Sequence, residues 1–143
     1  MARHEVRYLV VGGIAAILHG WPGGTADLDV LGAFESENFA RLAAALGELD
    51  ANGEGWDGDP ETIGSVTAWS LDTEGGPVDL LFVLEPWGTY EELWPRASEV
   101  SGFGATIPVV SLDDLIALKR ALGRPKDLRV AVELEELRRQ RDR

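Results

Sequence analysis

Gly12-Gly13 closes one apolar run, Thr25-Ala26-Asp27-Leu28-Asp29-Val30 leads into a second, and Val78-Asp79-Leu80-Leu81-Phe82 sets a lone aspartate inside a third. Side chains alternate across a strand, so Asp27 and Asp29 share one face while Leu28 and Val30 share the other. Carboxylates set among apolar strand residues are costly unless something cationic gathers them. A divalent metal carrying a nucleotide phosphate would do so. If the strand of Asp79 pairs beside that of Asp29, Asp79 completes a group of three acids. Two-metal phosphoryl transfer needs such a group, with one ion on the nucleotide phosphates and one at the attacking hydroxyl. The glycine pair, at a strand-to-helix turn, would let backbone N–H groups approach a phosphate that a Cβ would block.

Working outward, residues 6–11 are β-branched and apolar and predict a buried strand. A short helix over 14–19 follows, stopped by Gly20 and Pro22, then a glycine-rich loop over 21–26 and a strand over 27–31. Phe39, Leu42, Ala43 and Leu46 fall on one face of a helix over 36–49. Residues 50–62 read as an acidic, glycine-rich loop, 63–71 as a strand, 72–77 as a turn and 78–84 as a strongly apolar strand. A short helix over 90–96 and an extended piece over 105–110 come next. Ser111, followed by Asp113 and Asp114, predicts a capped helix that ends at Gly123, and Pro125 opens a last helix running through Leu137. The expected class is α/β, in the mixed α+β sense, as one domain over residues 1–143.

The composition narrows the function classes. The 143 residues are 45% hydrophobic and 27% charged, enough for a packed core and unlike a disordered chain. The formal net charge of −12 argues against nonspecific binding of nucleic acid. Cysteine is absent, which excludes disulfides and thiolate metal sites and makes a reducing cytoplasm the expectation. No apolar run has transmembrane length, and the start Met1-Ala2-Arg3-His4-Glu5 is unlike a signal peptide. The cations gather late, at Lys119, Arg120, Arg124, Lys126 and Arg129, and again in an Arg138–Arg143 tail that reads as a solvated helix end.

Each motif has a plainer reading. An Asp-x-Asp at a strand end also makes turns and caps, but that does not explain Asp79 between Val78 and Leu80. A dinucleotide-binding turn wants G-x-G-x-x-G, and the chain has Gly-Gly-Ile-Ala-Ala. A metal-dependent glycosyltransferase would need a sugar-nucleotide region before the motif, and only 26 residues precede Asp27. The stretch Asp50-Ala51-Asn52-Gly53-Glu54-Gly55 approaches a calcium loop, but Asp57 holds its apolar position and Pro60 precedes Glu61, so an acidic surface loop is expected. His19 reads as a cap or buried packer. Trp21, Trp69, Trp87 and Trp94 read as packing, with Trp21 alone placed to meet a base.

The glycine pair, the two aspartates 14 positions beyond it and the later apolar-Asp-apolar strand together resemble the DNA polymerase β-type nucleotidyltransferase superfamily. Val10-Val11-Gly12-Gly13-Ile14-Ala15-Ala16-Ile17-Leu18-His19-Gly20 and Thr25-Ala26-Asp27-Leu28-Asp29-Val30 are similar to its small bacterial branch, the minimal nucleotidyltransferases and AbiEii-type toxins. Ser111-Leu112-Asp113-Asp114-Leu115, Lys119 and Gly123-Arg124-Pro125-Lys126-Asp127-Leu128 resemble the helical tail of that branch. The resemblance implies a nucleotidyltransferase fold: a short mixed β-sheet flanked by helices, with a helical C-terminal end. It implies Mg²⁺-dependent (or Mn²⁺-dependent) transfer of a nucleoside monophosphate from a nucleoside triphosphate to an acceptor hydroxyl on a protein, a tRNA or a small molecule. Asp27, Asp29 and Asp79 would be the metal ligands and catalytic acids, with Asp79 also deprotonating the acceptor. Gly12, Gly13, Thr25, Lys119 and Lys126 would meet the nucleotide. A toxin-type member would have an antitoxin or another protein partner.

One departure stands out. Relatives usually carry an arginine between the His-Gly pair and the aspartates, and Gly23 stands in its place. Either another cation substitutes, or the protein keeps the fold as a catalytically silent nucleotide-binding or partner-binding module. The start is also short, since relatives often have a helix before the first strand.

Overall fold

The computed structural model describes residues 4–25, 27–84, 88–102 and 104–142. Ala26, Trp87, Arg143 and the first three residues, which figure in the sequence reading, lie outside them. Six strands form one mixed sheet in the order β3-β4-β2-β1-β6-β5. β1 (Tyr8–Val11) is central, antiparallel to β2 (Leu28–Gly32) and parallel to β6 (Ala105–Val109). β2 runs parallel to β4 (Gly76–Leu81), which forms an antiparallel hairpin with β3 (Ala68–Thr73). β5 (Ser98–Gly102) closes the other edge against β6. The expected class, a short mixed sheet flanked by helices and ending in helices, is the one observed.

Alternation along the central strands builds two cores. Leu9, Val11 and Leu31 pack with α1 (Gly12–Leu18), α4 (Tyr90–Leu93), α5 (Leu112–Leu122) and α6 (Pro125–Arg141). Val30, Val78 and Leu80 pack with Leu42 and Leu46 of α2 (Ser36–Glu48) and with Ile63 of α3 (Pro60–Ile63). Each fully buried leucine of this kind contributes about 2 kcal/mol of hydrophobic stabilisation. Asn38 is the polar exception in α2. It accepts from Arg7 N at 2.8 Å and donates to Arg7 O at 3.0 Å and Ala33 O at 2.9 Å, so it is buried yet satisfied. An apolar cavity of about 280 Å³ opens on the α2 face, lined among others by Val10, Leu28, Val30 and Val78. It lies opposite the carboxylates, and Tyr8 also lines it.

Several boundaries differ from the sequence reading. β3 begins at Ala68 rather than at 63, because Pro60–Ile63 forms a helical turn capped by the Asp59 side chain on Glu61 N. Asp57 accepts from Asp59 N at 2.9 Å and from Thr62 Oγ1 at 3.0 Å, so this acidic loop spends its oxygens on its own turns. β4 ends at Leu81, and α6 runs four residues past Leu137 to Arg141. β5 has no counterpart in the sequence reading. Ser98-Glu99-Val100-Ser101-Gly102 has a single large apolar residue, as an edge strand can. The tail is not simply solvated either. Arg138 reaches Asp113 at 2.7 Å, and Arg141 bonds to His19 O.

Candidate functional site

The site begins at the end of β1. Gly12 has φ +71°, the left-handed region that favours glycine, and turns the chain directly into α1. A Cβ there would collide with the Asp29 carboxylate, which lies over the turn. A Cβ on Gly13 would stand 3.0 Å from the Thr25 side chain. The glycine pair therefore makes room for Asp29 and Thr25.

Asp27 is exposed just before β2, while Asp29 is half-buried within it. The parallel register sets Asp29 directly opposite Asp79 on β4. Burial raises the pKa of Asp29 to about 6, helped by the hydrogen bond to Asp79, by the charge of Asp79 and by that of Asp27, and opposed by Lys119. Burial and the neighbouring acids disfavour the charged form of Asp29, a cost that a bound cation would offset. Among the described residues, however, no three histidine or acidic side chains stand ready as a metal cage. Asp27 influences Asp29 through its charge but has not closed into one cluster with the other two.

Beside Asp29 lies a cavity of about 380 Å³. Gly13, Thr25, Lys119 and Lys126 line it, as does Arg124. Of the three acids, only Asp29 does so, and Gly12 is also absent from the lining. Lys119 comes from the last turns of α5 and Lys126 from the start of α6. Between them Asp127 is 1% exposed; it pairs with Lys119 at 3.6 Å and accepts from Arg124 through both its oxygens, one at 3.2 Å. Its pKa is lowered, first by the Arg124 hydrogen bond and then by Lys119 against the opposing effect of burial. Lys126 has no ion-pair partner among the described residues.

Arg124 and Asp127 are not among the expected nucleotide-binding residues, although both stand in the stretch that resembles the family's helical tail. An aspartate in the first turn of a helix reads as a dipole partner, and Arg124 reads as one more cation near a helix end. Only the packing of α6 against α5 reveals that Asp127 is buried between two cations. His19 is buried, its Nε2 2.8 Å from Val110 O, as a packing histidine should be. At Gly23 a side chain would run into the six-membered ring of Trp21. The cations facing the cavity come instead from α5, from Arg124 before α6 and from Lys126 in its first turn.

A solved structure from Thermotoga maritima, described as a "putative nucleotidyltransferase", superposes with a TM-score of 0.61 over 96% of this chain and 83% of its own, at 21% identity. The chain has a nucleotidyltransferase fold. No family model matches it. No curated protein does either. No helix among the described residues is long and apolar enough to cross a membrane.

Proposed function

We propose that the protein is a metal-dependent nucleotidyltransferase. The observation that carries this reading is the Asp29–Asp79 pair beside a cavity whose far side is cationic, on a nucleotidyltransferase fold. Asp29 and Asp79 would hold Mg²⁺ or Mn²⁺, with Asp27 turning in from the surface. The bound ion would neutralise phosphate charge and favour loss of the acceptor proton. Lys119, Arg124 and Lys126 would hold the triphosphate, with Gly13 and Thr25 along one side. The acceptor oxygen would bond to the α-phosphorus, the α–β bridging P–O bond would break, and pyrophosphate would leave. Asp79, opposite Asp29, would take the acceptor proton. The acceptor would be a hydroxyl on a protein, a tRNA end or a small molecule, with the net charge of −12 weighing against the tRNA. A protein partner of antitoxin type and a cytoplasmic setting belong to the same reading.

The first test is thermal unfolding with each nucleoside triphosphate, with and without Mg²⁺, in wild type and Asp29→Asn. A ligand at a hundredfold excess over its Kd stabilises by about 2.7 kcal/mol. The shift should require Mg²⁺ and vanish in the variant. A shift that ignores both Mg²⁺ and the substitution would sink the metal–nucleotide site. A second reading, a silent nucleotide-binding module, is favoured by Gly23 and by the open arrangement of Asp27. It expects binding that depends on Lys119 and Lys126, with no release of pyrophosphate.

A further inference from the structure

Trp21 lies between α1 and β2, and its indole is held from several sides. Its backbone N–H donates to Ala16 O at 2.9 Å. Its Nε1–H donates to the Glu133 carboxylate on α6. Its six-membered ring rests against Gly23, where any side chain would displace it. The ring is half-buried and packs against the core under α5 and α6. With Ala16 and Val130 it also supplies the apolar part of the cavity whose polar part is Thr25, Asp29, Asp127 and the three cations. The one hydrogen-bond donor of the indole is committed to Glu133, so the ring offers the cavity only carbon surface.

We propose that Trp21 is the surface on which the base of a bound nucleoside triphosphate stacks, with Glu133 fixing its orientation and Gly23 leaving room for it. The inference rests on the nucleotide-binding reading above and names how that site takes its substrate. A charged cavity of about 380 Å³ is within the usual size for a small-molecule site. Its polar side suits phosphates, and the carbon surface of Trp21 suits the base that phosphate contacts leave over. Every base has a π-face, so such a wall binds all four bases and favours the larger purines. The glycine at position 23 then has a positive use. A side chain there would push the ring out of place, and the phosphates are met from Lys119, Arg124 and Lys126 instead.

The test is calorimetric titration of the full chain with Mg²⁺-ATP, Mg²⁺-UTP and Mg²⁺-tripolyphosphate. Trp21→Leu should weaken both nucleotides about ten- to a hundredfold and leave tripolyphosphate unchanged. Trp21→Phe, which keeps an aromatic face, should retain most of the nucleotide affinity. Gly23→Ala displaces the ring without removing it and should reproduce the base-specific loss, which covers the case in which Trp21→Leu does not fold. The proposal is overturned if Trp21→Leu binds nucleotides as wild type does. It is equally overturned if tripolyphosphate is lost in parallel, since Trp21 would then only shape the cavity. A wild type that binds tripolyphosphate as tightly as ATP removes the stacking wall and leaves the phosphate site. A wild type that binds neither removes both.

Discussion

At the scale of single residues, Asp29 is where stability and the proposed chemistry pull apart. Burial and the facing Asp79 raise its pKa to about 6 from an ordinary value of 3.8. Between those two pH values the folded state holds more protons than the unfolded one, so metal-free protein loses stability as pH rises from about 4 to 6. The loss stays in full above that window. An asparagine side chain in its place would offer N–H donors toward Asp79 and would carry no charge. Asp29→Asn should therefore raise the Tm of the metal-free protein at pH 7.5, by roughly 3 °C for about 1 kcal/mol. The gap should shrink as pH falls toward 4. Unfolding scans in EDTA across that range decide it, and a variant less stable than wild type at pH 7.5 would show that the carboxylate is not strained. The opposite facing of Asp29 and Val30 was legible in the sequence, because alternation fixes it, but β2 begins at Leu28 and leaves Asp27 outside the strand. The register that sets Asp79 opposite Asp29 was not legible, because strand order depends on packing across the whole sheet.

At the scale of elements, α6 does more than its sequence announces. Its first turn brings Asp127 between Arg124 and Lys119. Its last turn returns to α1, where Arg141 bonds to His19 O and stands 3.3 Å from His19 Nδ1. The other ring nitrogen faces Val110 O, so Nε2 carries the hydrogen and Nδ1 accepts. One helix thus ties the cationic wall to the helix that follows the glycine turn. Burial lowers the pKa of His19, the Val110 carbonyl opposes this, and Arg141 lowers it further. Arg141→Ala should cost about 1 kcal/mol. It should also move the His19 pKa upward while leaving it below the ordinary 6.5, because burial is the larger cause. Titrating the His19 ring proton by NMR reads this directly, and an unchanged pKa would mean that Arg141 does not face the ring in solution. The start of α6 was legible from Pro125, but the role of its end was not. Four arginines near a C-terminus look like dipole partners until the chain is folded back on itself.

At the scale of the molecule, charge is divided as sharply as the fold. Residues 42–95 hold 12 acidic residues and no lysine or arginine, so the net charge of −12 belongs to that stretch alone. It includes the acidic loop, β3 and β4, while the cationic wall is built from α5 and α6. Most described arginines are paired with acids outside that stretch, Arg96 with Asp114 at 2.9 Å and Arg138 with Asp113 at 2.7 Å among them, and Arg7 is an exception in reaching Glu91 at 3.3 Å, so they screen the acidic half little. This division was present in the sequence as counts, but only the topology shows that the two halves meet at Asp29. Two salt effects then compete. Exposed ion pairs weaken on screening but are each worth little, whereas repulsion within the acidic half acts over the roughly 30 Å Debye length of 10 mM salt. Repulsion should win, and the Tm should rise from about 10 to 150 mM NaCl, where the Debye length is about 8 Å. Glu74 locates the effect. Its pKa is raised by a hydrogen bond with Asp50 and by the charge of Asp50, so two exposed acids crowd one another there. Glu74→Gln should be more stable than wild type at low salt, and the difference should narrow at 150 mM. A Tm that falls with salt would mean that the local pairs dominate, and the acidic half would then be no burden on the fold.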